Sequence, residues 1–293
     1  MELRHLKSFL AVAELLSFHQ AAQAVHLSQP ALSAQIQALE EDLGVRLFER
    51  DRRSVRLTTT GEAFLEHARA TLAQAETAAQ IARQASAGQT GLLRIGFVAS
   101  AAMEIIPAIV LAYRQKYPQV KLELRNLRTT AQLPALEERS IDVGYLRLPI
   151  VAKHLTITPV HREPFALLLP ANHPLAKKKT LDLSALHDEP FVSYARHFAP
   201  GFYDRWISIF TQTGFSPNIV QETGDMYTAI FLVAAGAGLA VIPEGLAREY
   251  AHGVVARRLP SQVQSEIGIA VRTGDASPLV KNFHALSKKL TRR

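Results

Sequence analysis

The chain has 293 residues and no cysteine. Disulfide pairing, thiolate catalysis and cysteine-held zinc are therefore excluded. No stretch approaches the roughly 18 uninterrupted apolar residues of a membrane span. The opening "MELRHLKSFLAVAE" has acidic residues at both ends and no small-residue cleavage site after a long apolar run, so it does not read as a signal peptide, and a cytoplasmic protein is expected. Catalytic signatures are missing as well: there is no G-x-S-x-G and no G-x-x-x-x-G-K-[ST], and the 11 histidines show no H-E-x-x-H spacing. "GAGLA" at Gly236–Ala240 precedes a strand rather than linking strand to helix, so Gly236 reads as a helix C-cap and not as part of a nucleotide loop. An enzyme is not expected, nor is a cofactor.

What is present is an ordinary globular composition, 48% hydrophobic and 20% charged, long enough for two domains. The net charge of +7 hints at a polyanionic partner. Its distribution qualifies the hint. Residues 1–86 hold nine Lys/Arg against ten Asp/Glu, whereas the remainder holds 24 against 16. Within the first part the positive charge is concentrated, because Val45–Leu57 carries five arginines against Glu49 and Asp51. Lys177-Lys178-Lys179 and the tail "KKLTRR" read as solvated charge.

Leu3, Leu6, Phe9, Leu10, Ala13 and Leu16 recur at helical spacing. Ser17 can cap a short second helix, Phe18–Val25, with His26 and Leu27 as the turn. Ser28 can cap a third that has Pro30 in its first turn and Gly44 as its stop. "VRLFERDRRSVRLTT" is a hairpin pattern with an Arg-rich tip. Thr58 to about Ala85 then reads as one long helix, which wants a partner helix, and "SAGQTG" marks a domain boundary. Beyond Gly91, strands such as "LLRIGFV", "VKLELRNL", "IDVGYLR", "FALLLP" and "GLAVIP" alternate with helices, the pattern of a mostly parallel α/β sheet arranged as one large unit or two lobes.

On a helical wheel Leu32, Ile36, Leu39 and Leu43 share one face of the third helix. Pro30, Ser33, Ala34 and Gln37 lie roughly opposite, with Gln29 at the tip. A helix entering a DNA major groove needs this narrow profile and these amide and hydroxyl groups, since Gln suits adenine and Ser reads several base edges. Arg50, Arg52 and Arg53 would supply backbone charge beside it. The plain alternative is a three-helix bundle with no DNA role.

At this point the chain resembles the LysR-type transcriptional regulators. The resemblance is carried by "LRHLKSFLAVAE", "SFHQAAQAVHLSQPALSAQIQALEEDLGVRLFER" and "LTTTGEAFLEHA", and more loosely by "IDVGYLR" and "VAAGAGLAVIP". It implies an α+β multidomain fold: a winged helix-turn-helix over 1–58, a linker helix for dimerisation over 59–87, and an effector-binding domain over 91–293. That last domain would be two-lobed and like periplasmic binding proteins, with lobe I at 91–161 and 266–293 and lobe II at 162–265. The implied partners are double-stranded promoter DNA, a small anionic effector, further copies of the chain as dimer or tetramer, and RNA polymerase. Ser28, Gln29, Pro30, Ser33, Ala34, Gln37, Arg50, Arg52 and Arg53 are the expected DNA-contacting residues. Ala34 departs from the many members that carry Arg there.

Ligands of two-lobed α/β proteins bind at the carboxyl ends of strands, between the lobes. Ala99-Ser100 and Thr129-Thr130 each follow a strand and open a helix, whose N–H groups suit a carboxylate, and Arg147 ends a third strand. "YARHFAPGF" brings Arg196, Pro200 and Phe202, and "ETGDMYTA" brings Met226 and Tyr227. The resemblance also implies that Ser100, Thr129, Arg147 and Phe202 match ligand-holding positions of the aromatic-degradation branch, whose effectors include muconate and benzoate. The expected effector residues are thus Ala99, Ser100, Thr129, Arg147, Phe202 and Met226. Simpler roles compete: Ser100 and Thr129 as N-caps, Arg147 in a pair with a nearby carboxylate, Met226 in the core. A solute-binding domain or an α/β enzyme with a dimerising N-terminal bundle are the other classes the pattern allows.

Overall fold

The computed structural model describes residues 1–51, 54–178, 180–249 and 253–291. The chain divides into two compact units, Met1–Gln84 and Ala85–Arg293.

The first unit begins with α1 (Leu3–Leu15), α2 (Phe18–Ala24) and α3 (Gln29–Leu43). Their starts follow local chemistry: the Ser17 hydroxyl accepts from the Gln20 N–H at 3.3 Å, and the Ser28 hydroxyl from the Ala31 N–H at 3.4 Å. Gly44 ends α3 at φ +68°, a left-handed conformation that costs glycine little. Leu32, Ile36 and Leu39 are fully buried with Phe9 and Val12 of α1 and Ala21 of α2. Each large apolar side chain buried in this way stabilises by about 1.5–3 kcal/mol.

The hairpin follows as β1 (Phe48–Asp51) and β2 (Ser54–Leu57), antiparallel, with Phe48 opposite Leu57. It is tied to α3 by Glu40, whose Oε1 accepts from the N–H groups of Leu47 at 2.7 Å and Phe48 at 3.1 Å. Thr58 then donates to the Arg46 carbonyl and accepts from the Gly61 N–H, which starts α4 (Thr59–Ser86). Phe64 of α4 packs edge-on against Phe9 at 5.1 Å. Beyond Ala73 the helix is largely exposed, and Ile81 is 55% exposed.

The second unit runs β3 (Thr90–Phe97), α5 (Ala101–Glu104), α6 (Ile106–Lys116), β4 (Gln119–Asn126), α7 (Thr129–Glu137), β5 (Val143–Arg147) and β6 (Leu155–Pro170). It continues through β7 (Pro190–Tyr194), α8 (Pro200–Thr211), β8 (Asn218–Thr223), α9 (Met226–Ala234), β9 (Ala240–Pro243), α10 (Glu244–Glu249), β10 (Val254–Arg258), β11 (Gln264–Arg272) and α11 (Pro278–Thr291). Two lobes share the long strand β6. Its first part pairs β11 in the sheet β4-β3-β5-β11-β6, and its second part pairs β9 and β10. In lobe II β7 runs beside β8, and Phe191 bridges Leu239 at the approach to β9. The lobe I core holds Ile95, Ile109, Tyr113, Tyr145 and Phe283, and the lobe II core holds Phe165, Phe191, Phe202, Trp206 and Phe210.

The expectation of a mostly parallel sheet is corrected. Strand β3 is parallel to β4 and β5, and β7 to β8, but β11 runs antiparallel to β5 and β6, and β6 antiparallel to β9 and β10. The first part of β6 and the strand β10 have no counterpart among the strands expected from the sequence pattern. Pro159 and Pro164 interrupt the pattern of β6, and prolines demote a strand because they cannot donate to a ladder. Here Pro159 is accommodated next to a register shift, opposite Gly268.

Candidate DNA-reading helix and effector cavity

Helix α3 turns its apolar stripe inward and leaves Ser28, Gln29, Pro30, Ala34 and Gln37 exposed, with Ser33 half-buried beside them. The Gln37 amide donates to Glu41 at 2.9 Å, one turn on. Five of the proposed contact residues thus fall on one open surface of the first unit. Arg50 belongs to β1, where it pairs with Val55, while Arg52 and Arg53 lie outside the described residues. Helix α3 in front of a hairpin, with small polar residues outermost, is the geometry of a winged helix-turn-helix.

In the second unit the carboxyl ends of β3, β4, β5, β7 and β8 converge on a cavity of about 480 Å³. Ala99, Ser100, Arg147 and Met226 line it, together with Asn126, Arg128, Tyr194, Asp225 and Tyr227. Ser100 is 5% exposed; its hydroxyl does not cap α5 and meets no partner among the described residues. Apolar surface comes from Val98, Leu127, Ala131 and Met226. A smaller cavity of about 240 Å³ adjoins, lined by Thr129, Thr130, Leu133, Pro149 and Pro200 among others, and Arg147 borders both.

Arg147 is 2% exposed. Its Nη1 donates to the Ser265 hydroxyl at 2.5 Å and lies 3.6 Å from Glu163 Oε1, and its guanidinium sits 5.3 Å from the Phe202 ring. Glu163 also accepts from the Gly245 N–H at 2.7 Å. The pairing of Arg147 with a carboxylate is therefore realised, and this ion pair is a buried structural element. Thr129 does not cap α7 with its side chain; its hydroxyl accepts the Arg147 N–H at 3.1 Å, fixing the helix start to the end of β5. Gln132, fully buried, reinforces the junction by donating to the carbonyls of Leu127 and Tyr145, both at 2.9 Å.

Phe202 lines neither cavity and packs in the lobe II core beneath Arg147. Arg196 lines neither as well. It forms a two-pronged pair with Asp204 at 2.8 Å on the surface, which holds the Asp204 carboxyl below its ordinary range. The polar lining residues missed in the sequence are Asn126, Arg128, Tyr194 and Asp225. Asp225 carries a legible signal, an N-cap ahead of "MYTAIF", and its carboxylate accepts from the Thr228 N–H and hydroxyl, both at 2.8 Å. Arg128 adjoins the expected Thr129, and only the fold shows that it faces the cavity.

Residues 3–62 match the bacterial regulatory helix-turn-helix proteins of the lysR family, and residues 86–292 match the LysR substrate binding domain. The chain belongs to the LysR family of transcriptional regulators. Among its LysR-type relatives is the HTH-type transcriptional regulator AlsR of Bacillus subtilis (strain 168), 41% identical over 288 residues that cover 98% of this chain and 95% of that protein. The crystal structure of CbnR, a LysR family transcriptional regulator, superimposes with a TM-score of 0.86 at 30% identity, covering 98% of this chain and all of that one. Full-length CbnR complexed with its target DNA gives 0.83 at 29% identity, with 99% of each chain covered. This LysR-type regulator is thus a DNA-binding protein built as a winged helix-turn-helix, a linker helix and a two-lobed α/β domain. Among the described residues no helix is long and apolar enough to cross a membrane.

Proposed function

We propose that this regulator is controlled by a small carboxylate with an aromatic or muconate-like body, bound between the lobes. The observation that carries the reading is the cavity itself. It sits at the carboxyl ends of strands from both lobes, and combines the Ser100 hydroxyl, which has no partner among the described residues, with two guanidinium groups and an apolar wall. Its volume lies in the range of small-molecule sites. Ala99, Ser100, Arg147 and Met226 would line the bound ligand. Thr129 and Phe202 would act through Arg147, the first by its hydrogen bond and the second by packing beneath it.

On the DNA side, Gln29, Pro30, Ser33, Ala34 and Gln37 enter the major groove, Ser28 caps the reading helix, and Arg50, Arg52 and Arg53 hold the phosphates beside it. The working form is a dimer or tetramer paired through residues 59–87. The exposed outer half of α4 with Ile81 supports this. Ligand binding shifts lobe II (162–265) against lobe I (91–161 and 266–293), moves the paired linker helices and changes the DNA-bound heads and their engagement with RNA polymerase. Linkage requires that the ligand bind one of these states more tightly. A thermal-shift screen of small carboxylates tests the reading. Stabilisation by benzoate or cis,cis-muconate but not by their amides is expected, and no response to any carboxylate would remove it.

A further inference from the structure

The cavity holds two guanidinium groups in different electrostatic situations. The charge of Arg147 is already met by Glu163, and its Nη1 is committed to Ser265. An incoming carboxylate placed there would also face the Glu163 carboxylate. Arg128 is the reverse case. It is exposed, it pairs with no carboxylate among the described residues, and its one hydrogen bond runs from Nε to the Gly224 carbonyl at 3.3 Å. Its guanidinium carbon lies 3.7 Å from the centre of the Phe198 ring, so the planar group is held by stacking while its outer nitrogens remain available.

Arg128 belongs to the β4–α7 connection of lobe I, whereas Phe198 and Gly224 belong to lobe II. The side chain therefore spans the cleft. Gly224 permits the approach, because a Cβ there would lie 2.8 Å from Arg128 Nη2. Beside it, Tyr194 lines the same cavity with a hydroxyl that meets no partner among the described residues. Burial pushes that phenol up to about 12, against the opposing pull of Arg128 and Arg147, so it stays a proton donor. The nearby Asp225 carboxylate is turned onto the start of α9. Other bonds cross the cleft at its edges: Thr130 to the carbonyls of His197 and Phe198, both at 3.3 Å, and Tyr227 to the Ala99 carbonyl at 3.1 Å.

We propose that Arg128 is the residue that grips the anionic head group of the effector, with Tyr194 as second donor, and that its span to Phe198 and Gly224 converts occupancy into lobe closure. The inference rests on the carboxylate reading above and assigns the recognising charge within it to Arg128, leaving Arg147 as a structural ion pair. Planar, singly charged head groups that can accept two parallel N–H bonds are the ligand class it selects.

The test uses the full-length chain and calorimetry with benzoate, cis,cis-muconate and acetate, each beside its neutral amide. For whichever acid binds wild type most tightly, Arg128→Gln is expected to weaken binding at least about tenfold while leaving the amide unchanged, so that acid–amide discrimination collapses. Arg128→Lys, with the charge but not the fork, falls between. Hydrogen exchange on the same samples should show ligand protection of residues 197–201 and 224–227 in wild type and its loss in Arg128→Gln. An unliganded melting temperature equal to wild type accompanies these results, since Arg128 is exposed. Wild-type acid affinity and discrimination in Arg128→Gln would overturn the assignment alone. If no acid binds wild type, the carboxylate reading falls and this assignment with it.

Discussion

Arg147 and Leu32 show how single side chains divide between holding the fold and doing its work. Removing one partner of a buried ion pair leaves the other charge uncompensated, which costs about 3–5 kcal/mol. Arg147→Ala is therefore expected to lower stability in urea unfolding by that amount, by stranding Glu163. An apolar pair, Arg147→Met with Glu163→Leu, should recover most of the loss; a double variant as unstable as the single one would contradict the structural role. In the DNA-binding unit the division is between faces of one helix. Leu32→Ala, at a fully buried position, should cost about 2–5 kcal/mol of stability. Gln29→Ala, at an exposed one, should leave melting unchanged and weaken specific DNA binding by about 1–3 kcal/mol in a gel-shift titration.

At the scale of elements, what the sequence made legible depended on whether the signal was local. The caps Ser17, Ser28 and Gly44 and the stripe Leu32, Ile36 and Leu39 are local, and the helices begin, end and face as they dictate. The long α4 follows from an unbroken helical pattern in the same way. Strand direction is not local. Whether β11 runs with or against β5 depends on where β6 leads the chain, and Pro159 and Pro164 obscured β6 itself. The site behaves likewise. Ser100, Arg147 and Met226 sit at strand and helix ends that the pattern predicts, whereas Arg128 and Tyr194 reach the cavity only because two lobes face each other. Glu40 illustrates an element-level dependence. It bonds the Leu47 and Phe48 N–H groups from α3, so Glu40→Ala should loosen the hairpin before the helices. Hydrogen exchange should show early loss of protection at Leu47 and Phe48 with α1–α3 retained; unchanged protection there would contradict the tie.

In the whole molecule one helix, α4, leads from the DNA-binding unit to the two-lobed α/β unit. The exposed outer half of α4 is expected to be covered by a second copy, so Ile81→Asp should shift the chain toward monomer in sedimentation velocity. A loss of cooperative DNA binding should accompany it. The basic residues of the hairpin imply counterion release, and affinity for DNA should fall steeply as salt rises. Occupancy of the inter-lobe cavity is proposed to change how the heads hold DNA. The most direct measurement of this is a nuclease footprint on the DNA upstream of the protein's own gene, with and without a saturating carboxylate shown by calorimetry to bind. The ligand is expected to alter the extent or pattern of protection; an identical footprint with the cavity occupied would rule out this coupling.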